Sequence, residues 1–116
     1  MSDETFPKSA RLLKSIEFQR VYNGSTFAAD DTLVIKATPN DIDGLRLGLS
    51  VSRKVGNAVV RNRWKRRIRE AFRLNRGDFG VGLDIVVRPK RGAVCDSHQI
   101  ELSLKKLLAR ILKKLG

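Results

Sequence analysis

One segment, residues 57–75, restricts the fold of this chain most, because it combines helical apolar spacing with an excess of cations. At about 100° per residue, its apolar side chains gather on one side of a helix. They are Val60, Trp64, Ile68, Ala71 and Phe72. Asn57 is a favourable N-cap, and Gly77 is a favourable stop beyond the last turn. We therefore expect a helix that packs on the protein core, with Trp64 and Phe72 inside.

The polar side chains of this helix are expected to face solvent. On the side away from the apolar stripe we place Arg61, Asn62, Lys65, Arg66, Arg69 and Arg73. Arg63 and Arg67 flank the stripe, where long stems cover apolar surface while the charged heads stay in water. Between Arg53 and Arg76 the sequence has ten Lys or Arg residues and one acid, Glu70.

The uniform sign of this charge favours a polyanionic partner. Surfaces that serve solubility alone usually carry charges of both signs. The structural alternative to a polyanion-binding surface is a charged face that only contacts water. The whole chain has 24 Lys or Arg and 12 Asp or Glu residues, a net charge of +12. Arg outnumbers Lys in the segment, which suits bidentate contacts with phosphate. Membrane attachment is disfavoured, because the apolar side of the helix is needed for the core.

The remaining segments predict an α+β domain. Residues 15–24 have the pattern of a short amphipathic helix. Strands are predicted at residues 33–38, 45–52 and 83–88. A last helix is expected from Asp96 or Ser97, with an apolar stripe formed by Ile100, Leu104, Leu107, Leu108, Ile111 and Leu115. The result is a sandwich of sheet and helices, a single domain over residues 1–116 with a mobile lead-in at 1–13.

No pattern in the sequence favours a free-standing enzyme. Nucleophile, base and metal ligands do not converge, so no catalytic residue and no metal site are expected. Turn and capping roles are expected for Asp30, Asp31, Asp41 and Asp43. The single Cys95 has no disulfide partner, and we expect a small half-buried side chain there. The N-terminal residues lack a secretory pattern and no run approaches a spanning helix, so a cytoplasmic location is expected.

An ordered string within the basic segment resembles a known family. Residues 56–66 read GNAVVRNRWKR, and Arg69 and the pair Ala71-Phe72 follow. This string is similar to the Arg-Asn-Arg signature of the bacterial ribonuclease P protein component. Residues 48–55, GLSVSRKV, and the early Arg11-Leu12 followed by Phe18 also resemble that family. The likeness covers most of the chain from residue 11 to residue 72.

The resemblance implies an αβββαβα sandwich of the ribosomal-protein-S5-domain-2-like type. It also implies that the basic helix is a left-handed crossover between parallel strands, although general rules favour a right-handed one. The implied activity is removal of the 5′ leader of precursor tRNA by a catalytic RNA, which the protein binds together with the leader. The resemblance further implies that the RNA-containing holoenzyme uses Mg²⁺ and that the protein alone binds no cofactor. The alternative is a ribosomal or architectural nucleic-acid-binding protein without an enzymatic partner.

The resemblance also assigns site residues. The RNA-binding set is Arg53, Lys54, Asn57, Arg61, Asn62, Arg63, Lys65, Arg66, Arg69 and Arg73. The leader-binding cleft comprises Phe18, Tyr22, Val34, Lys36 and Ser50, bordered by Arg61, Lys65 and Arg69. Phe18 and Tyr22 are equally compatible with a place in the core. The family often has an aromatic residue where Lys36 stands, which leaves a phosphate contact as the alternative to base stacking there.

Overall fold

A four-stranded sheet lies at the centre of the computed structural model, which describes residues 19, 21, 26–40, 45–75 and 82–115. Its strands are β1 (Thr26–Ala29), β2 (Leu33–Pro39), β3 (Leu45–Leu49) and β4 (Leu83–Pro89). Their order across the sheet is β1-β2-β4-β3. β2 pairs antiparallel with β1 and with β4, whereas β3 pairs parallel with β4. The sheet is therefore mixed, with β1 and β3 at its edges.

Two long helices, α1 (Ala58–Asn75) and α2 (Ser97–Leu115), begin where the sequence predicts. The Asn57 side-chain oxygen accepts a hydrogen bond from the Val60 N–H at 3.0 Å, which caps α1. The Asp96 carboxylate accepts from the Gln99 N–H at 2.9 Å and caps α2 in the same way. α1 connects the parallel strands β3 and β4, so it is a crossover helix. The left hand of that crossover stays a prediction.

The main core lies between the sheet and the two helices. Trp64 and Phe72 are 2% and 1% exposed, which confirms their predicted place inside. Within the predicted stripe of α2, Leu115 is the exception, because it is 39% exposed. The last turn of α2 is no longer buried against the core. The periodicity of apolar residues alone cannot show where this burial ends.

Two parts of the sheet differ from the sequence-based expectation. The strand predicted at 45–52 ends at Leu49, and residues 50–52 lead into a 3₁₀ turn, Arg53–Val55. Ser52 stabilises this turn by accepting a hydrogen bond from the Lys54 N–H at 3.3 Å. The residue pattern did not predict β1, because a strand of four residues shows too little periodicity. The fold implied by the resemblance has four strands and therefore includes it.

The predicted first helix is described at Gln19 and Val21, both of which are helical. Val21 is fully buried and packs with Val86 of β4. Residues along a strand alternate between its two faces. Val86 lies on the face opposite the main core, so Val21 packs on this second face. The rest of that helix, the lead-in at 1–13, Asp41, Asp43 and Gly77 lie outside the described residues.

Candidate nucleic-acid interface

The strand register brings three predicted cleft residues to one side of the sheet. Val34 and Lys36 of β2 alternate with core residues, and their side chains lie opposite α1 and α2. Ser50 follows β3 and continues its pairing, because its N–H donates to the Val87 carbonyl at 3.0 Å. By the same alternation its side chain lies on this side as well. We call the surface formed by Val34, Lys36, Ser50 and their neighbours on this side the second sheet face.

The predicted members of this face differ in accessibility. Val34 is 6% exposed, whereas Lys36 and Ser50 are half-buried. Phe18 and Tyr22 lie outside the described residues, so the choice between cleft and core for these two aromatic side chains stays open.

Two further residues lie on the second sheet face that sequence reasoning missed. Phe27 of β1 is the direct cross-strand partner of Lys36 and is 56% exposed. Arg88 of β4 is exposed and pairs with Val34. The alternation of side chains along the predicted strand 83–88 would have placed Arg88 on this face. Phe27 could not be placed, because β1 was not predicted. Position 36 itself carries a lysine and not an aromatic residue, but the accessible ring of Phe27 lies beside it.

The opposite end of the second sheet face is neutralised. Asp84 is fully buried, and its two carboxylate oxygens accept hydrogen bonds from Arg46 Nε at 2.8 Å and Nη2 at 2.7 Å. Asn40 donates a further hydrogen bond to Asp84 Oδ1 at 2.7 Å. A buried carboxylate needs such partners, so the charge of Arg46 is used within the fold. The cationic part of this face is the end that holds Lys36 and Arg88.

Three of the cations of α1 are exposed, whereas Lys65, predicted to face solvent, is half-buried. The exposed members of the predicted set are Asn62, Arg63, Arg66 and Arg69 on the helix, with Arg53, Lys54 and Asn57 just before it. Arg53 and Lys54 belong to the 3₁₀ turn rather than to the helix. Arg73 is half-buried and pairs with Glu70 at 2.6 Å, and the hydrogen bond from Arg73 lowers the pKa of Glu70. Of this set, Arg73 is therefore the cation already engaged by a carboxylate.

Arg61 departs from the prediction that it points away from the apolar stripe. It is half-buried, and its Nε is buried without a hydrogen-bond partner among the described residues. The reason is geometric: a residue three positions before Trp64 is only about 60° from it around the helix. The stem of Arg61 therefore lies along the stripe. A buried donor without a partner is costly, and such groups are often positioned for a ligand.

The helix packing shows which side of α1 carries Lys65 and Arg69. α2 packs on β1 and β2 and also contacts α1, which puts α1 over the β3 side of the sheet. α1 turns Arg67 toward α2, where Arg67 donates a hydrogen bond to the Cys95 carbonyl. Lys65 and Arg69 are roughly 160° away from Arg67 around the helix. They therefore face away from α2, on the β3 side of the helix.

The acidic residues of the described segments have structural roles. Asp30 accepts hydrogen bonds from the N–H groups of Thr32 at 2.8 Å and Leu33 at 3.0 Å, and it also binds Ser103 and Lys106. Burial opposes the ionisation of Asp30, but these hydrogen bonds prevail and lower its pKa to about 2. The predicted turn role of Asp30 is thus confirmed. No group of His, Cys, Asp or Glu in the described segments is arranged to hold a metal ion.

No helix in the part of the chain that the structure describes is long and apolar enough to cross a membrane.

Comparison with known proteins identifies the family of the chain. The family model of ribonuclease P matches residues 6–112. The ribonuclease P protein component of Citrifermentans bemidjiense is 42% identical over 115 residues, which are 98% of this chain and 98% of that protein. That of Caldanaerobacter subterraneus is 39% identical over 104 residues, 89% of this chain and 90% of the relative.

Solved structures show the same architecture. The RNase P protein of Staphylococcus aureus superposes with a TM-score of 0.79 at 38% identity, covering 90% of this chain and 98% of that one. The RNase P protein of Thermotoga maritima gives a TM-score of 0.79 at 34% identity, covering 87% of this chain and 96% of the other. Sequence and fold agree over nearly the full length, and the chain therefore belongs to the ribonuclease P protein family.

Proposed function

We propose that this chain binds a catalytic RNA and the 5′ leader of precursor tRNA, and so assists the cut that forms the mature tRNA 5′ end. Membership of the family makes the chain a subunit of the ribonucleoprotein endoribonuclease that processes tRNA. The finer assignment of RNA partners to surfaces rests on the geometry of α1 and the second sheet face. The family match disfavours the alternative of an architectural protein without an enzymatic partner.

The observation that carries the leader assignment is the buried, unpartnered Nε of Arg61 beside a cationic edge. An RNA phosphate is the acceptor that this donor lacks, and charge-assisted hydrogen bonds to phosphate are strong. Lys65 and Arg69 continue the same side of α1 at four-residue steps. A single strand that follows this row would lay its bases toward Ser50 and the second sheet face.

The second sheet face suits unpaired bases better than a duplex. Unpaired bases stack on aromatic rings and apolar surface, at about 1–3 kcal/mol per base. Phe27 offers an accessible ring beside Lys36, and Arg88 adds a second cation on this face. The leader is the unpaired part of precursor tRNA, so we assign it to this face. The outward cations of α1, above all Arg63 and Arg66, are left for the catalytic RNA.

No step of bond cleavage is assigned to protein side chains. We propose that Mg²⁺ is held chiefly by RNA in the holoenzyme and that the protein contributes positioning and charge compensation. Clustered cations on α1 reduce the repulsion between the two RNA backbones that must approach each other. The proposed location is the cytoplasm, in keeping with a role in tRNA maturation.

Reconstitution tests this proposal. The protein is added to a ribonuclease P RNA at low Mg²⁺, and 5′ maturation of precursor tRNA is measured with and without protein. We expect the protein to stimulate cleavage, and we expect the holoenzyme to bind leader-bearing precursor more tightly than mature tRNA. Absence of stimulation would contradict the subunit assignment. Stimulation with equal affinity for precursor and mature tRNA would contradict only the leader assignment.

A further inference from the structure

A pocket of about 550 Å³ opens between the 3₁₀ turn before α1 and the loop that follows β4. One wall is the 3₁₀ turn Arg53–Val55 with the start of α1, and the other is the end of β4 with the loop up to Cys95. Small-molecule sites in proteins usually fall between about 300 and 1,000 Å³. The pocket is therefore large enough for one nucleotide and too small for a duplex.

The rim of this pocket is cationic. Its charged lining residues are Lys54, Arg88, Lys90 and Arg91, and its lining contains no carboxylate. None of the four side chains forms an ion pair with a carboxylate within the described segments. All four are exposed. Cations that converge without an internal counter-ion favour a phosphate group as the ligand.

The floor of the pocket is apolar. It is formed by Val55, Val60, Trp64 and Cys95, which belong to the main core or pack against it. A nucleobase has a flat, weakly polar face that such a floor accepts. The pocket thus combines the two surfaces that a nucleotide needs, an apolar one for the base and a cationic one for the phosphate.

Both walls are fixed by hydrogen bonds. In the 3₁₀ turn, the Val55 N–H donates to the Ser52 carbonyl at 3.1 Å. In the facing loop, the Ala93 N–H donates to the Lys90 carbonyl at 3.0 Å. Gly92 lies between them at φ 82°, the left-handed conformation required at the third position of a type II turn. The turn therefore sets the positions of Lys90 and Arg91 before any ligand binds.

We propose that this pocket binds a single unpaired nucleotide, with the base on the floor and the phosphate at the rim. The proposal rests on the proposed function only in taking RNA as the natural source of that nucleotide. Lys90 and Arg91 come from a loop that neither the α1 cations nor the leader assignment includes. The pocket shares Arg88 with the second sheet face, but its floor and its other rim residues lie outside that face.

The chain provides its own reporters for a test, because its only tryptophan and its only cysteine both line the pocket. The free protein is titrated with adenosine 5′-monophosphate while Trp64 emission and the rate of Cys95 alkylation are followed. Inorganic phosphate and adenosine serve as partial ligands, and a single-stranded tetranucleotide and a paired duplex serve as RNA probes. We expect the monophosphate to change the emission and slow the alkylation at concentrations where both partial ligands have little effect.

The variant K90A/R91A should weaken monophosphate binding by about tenfold or more, since each lost charged contact is worth over a kcal/mol. The matched control R110A/K113A removes the same charge from exposed positions on α2 and should bind as the wild type does. Equal loss in both variants, or a monophosphate no better than inorganic phosphate, would overturn the proposal. Tighter binding of the tetranucleotide identifies an RNA strand as the source, and preference for the monophosphate identifies a free nucleotide. If the monophosphate does not bind, the expected difference in holoenzyme affinity between precursor and mature tRNA is unaffected. The two proposals can therefore be refuted separately.

Discussion

Replacement of Arg61 by methionine should change stability and RNA binding in opposite directions. Methionine keeps most of the stem that lies along the apolar stripe and removes the Nε donor that is buried without a partner. An unsatisfied buried donor costs about 1–3 kcal/mol. Arg61→Met should therefore raise the free energy of unfolding of the free protein by up to about that amount. The stem packing, which a smaller residue would lose, is retained.

The same substitution should weaken binding of precursor tRNA. If Nε finds a phosphate acceptor in the complex, its loss removes a charge-assisted hydrogen bond worth about 1.5–3 kcal/mol, or roughly tenfold to a hundredfold in affinity. Mature tRNA should lose much less, because it lacks the leader. Arg61→Lys separates the two parts of this effect, since lysine restores the charge without the Nε donor.

Arg66→Met is the matched control for stability. Arg66 is exposed on the far side of α1, and its loss removes the same unit of charge. We expect its unfolding free energy to stay within about 0.5 kcal/mol of the wild type. Urea unfolding gives the stabilities, and holoenzyme binding to both tRNA forms gives the affinities. A destabilised Arg61→Met protein, or one that still discriminates precursor from mature tRNA as the wild type does, would refute the assignment of Arg61.

Three further perturbations test the fold. Trp64→Ala should cost about 3–5 kcal/mol in urea unfolding, whereas Arg63→Ala, at an exposed neighbour, should change it by under about 0.5 kcal/mol; the reverse ranking would contradict the orientation of α1. Asp30→Asn should cost about 1–3 kcal/mol at neutral pH, because its charged hydrogen bonds are weakened. Folding lowers the pKa of Asp30 from 3.8 to about 2. Its contribution to the free energy of unfolding is therefore present above pH 4 and is lost as the pH falls toward 2. The stability of the variant should depend less on pH over that range. Gly56→Ala should lower the melting temperature, because its Cβ would lie 2.9 Å from the Val60 Cβ; an unchanged melt would show that the turn before α1 adjusts freely.

The parts that the sequence predicted correctly are those with strong local signals. α1 follows from the spacing of Trp64, Ile68 and Phe72, and both long helices begin at residues with clear capping side chains. The second sheet face follows from alternation in β2, which separates Val34 and Lys36 from the core. Periodicity and capping act within a few residues, so one sequence is enough to read them.

The parts that were missed depend on pairing between distant residues. Phe27 becomes relevant only because β1 pairs with β2 and brings it beside Lys36. The pocket needs Lys54 and Lys90, which are 36 positions apart in the sequence, on facing walls. The error at Arg61 has a different origin, because assigning cations to the polar side ignored its angle to Trp64. A long stem can lie along an apolar stripe while its head serves another purpose.

The carboxylates of the described segments are located away from the cations that we assign to RNA. Asp84 pairs with Arg46 inside the sheet, Asp30 with Lys106 on α2, and Glu101 with Lys105 one turn along the same helix. Glu70, paired with Arg73, is the exception on α1. The excess charge of α1 is therefore left without compensation in the free protein, where it opposes folding through repulsion.

This arrangement predicts opposite salt effects on the free and bound states. Raising ionic strength from 0.01 M to 0.15 M shortens the Debye length from about 30 Å to about 8 Å, which screens repulsion along α1. The melting temperature of the free protein should therefore rise with salt. RNA affinity should fall over the same range, with a slope of about 0.7–0.9 per phosphate contact. Thermal melts and RNA titrations in one salt series measure both effects. A melting temperature that falls with salt would show that internal ion pairs, and not repulsion along α1, dominate the electrostatics of the free protein.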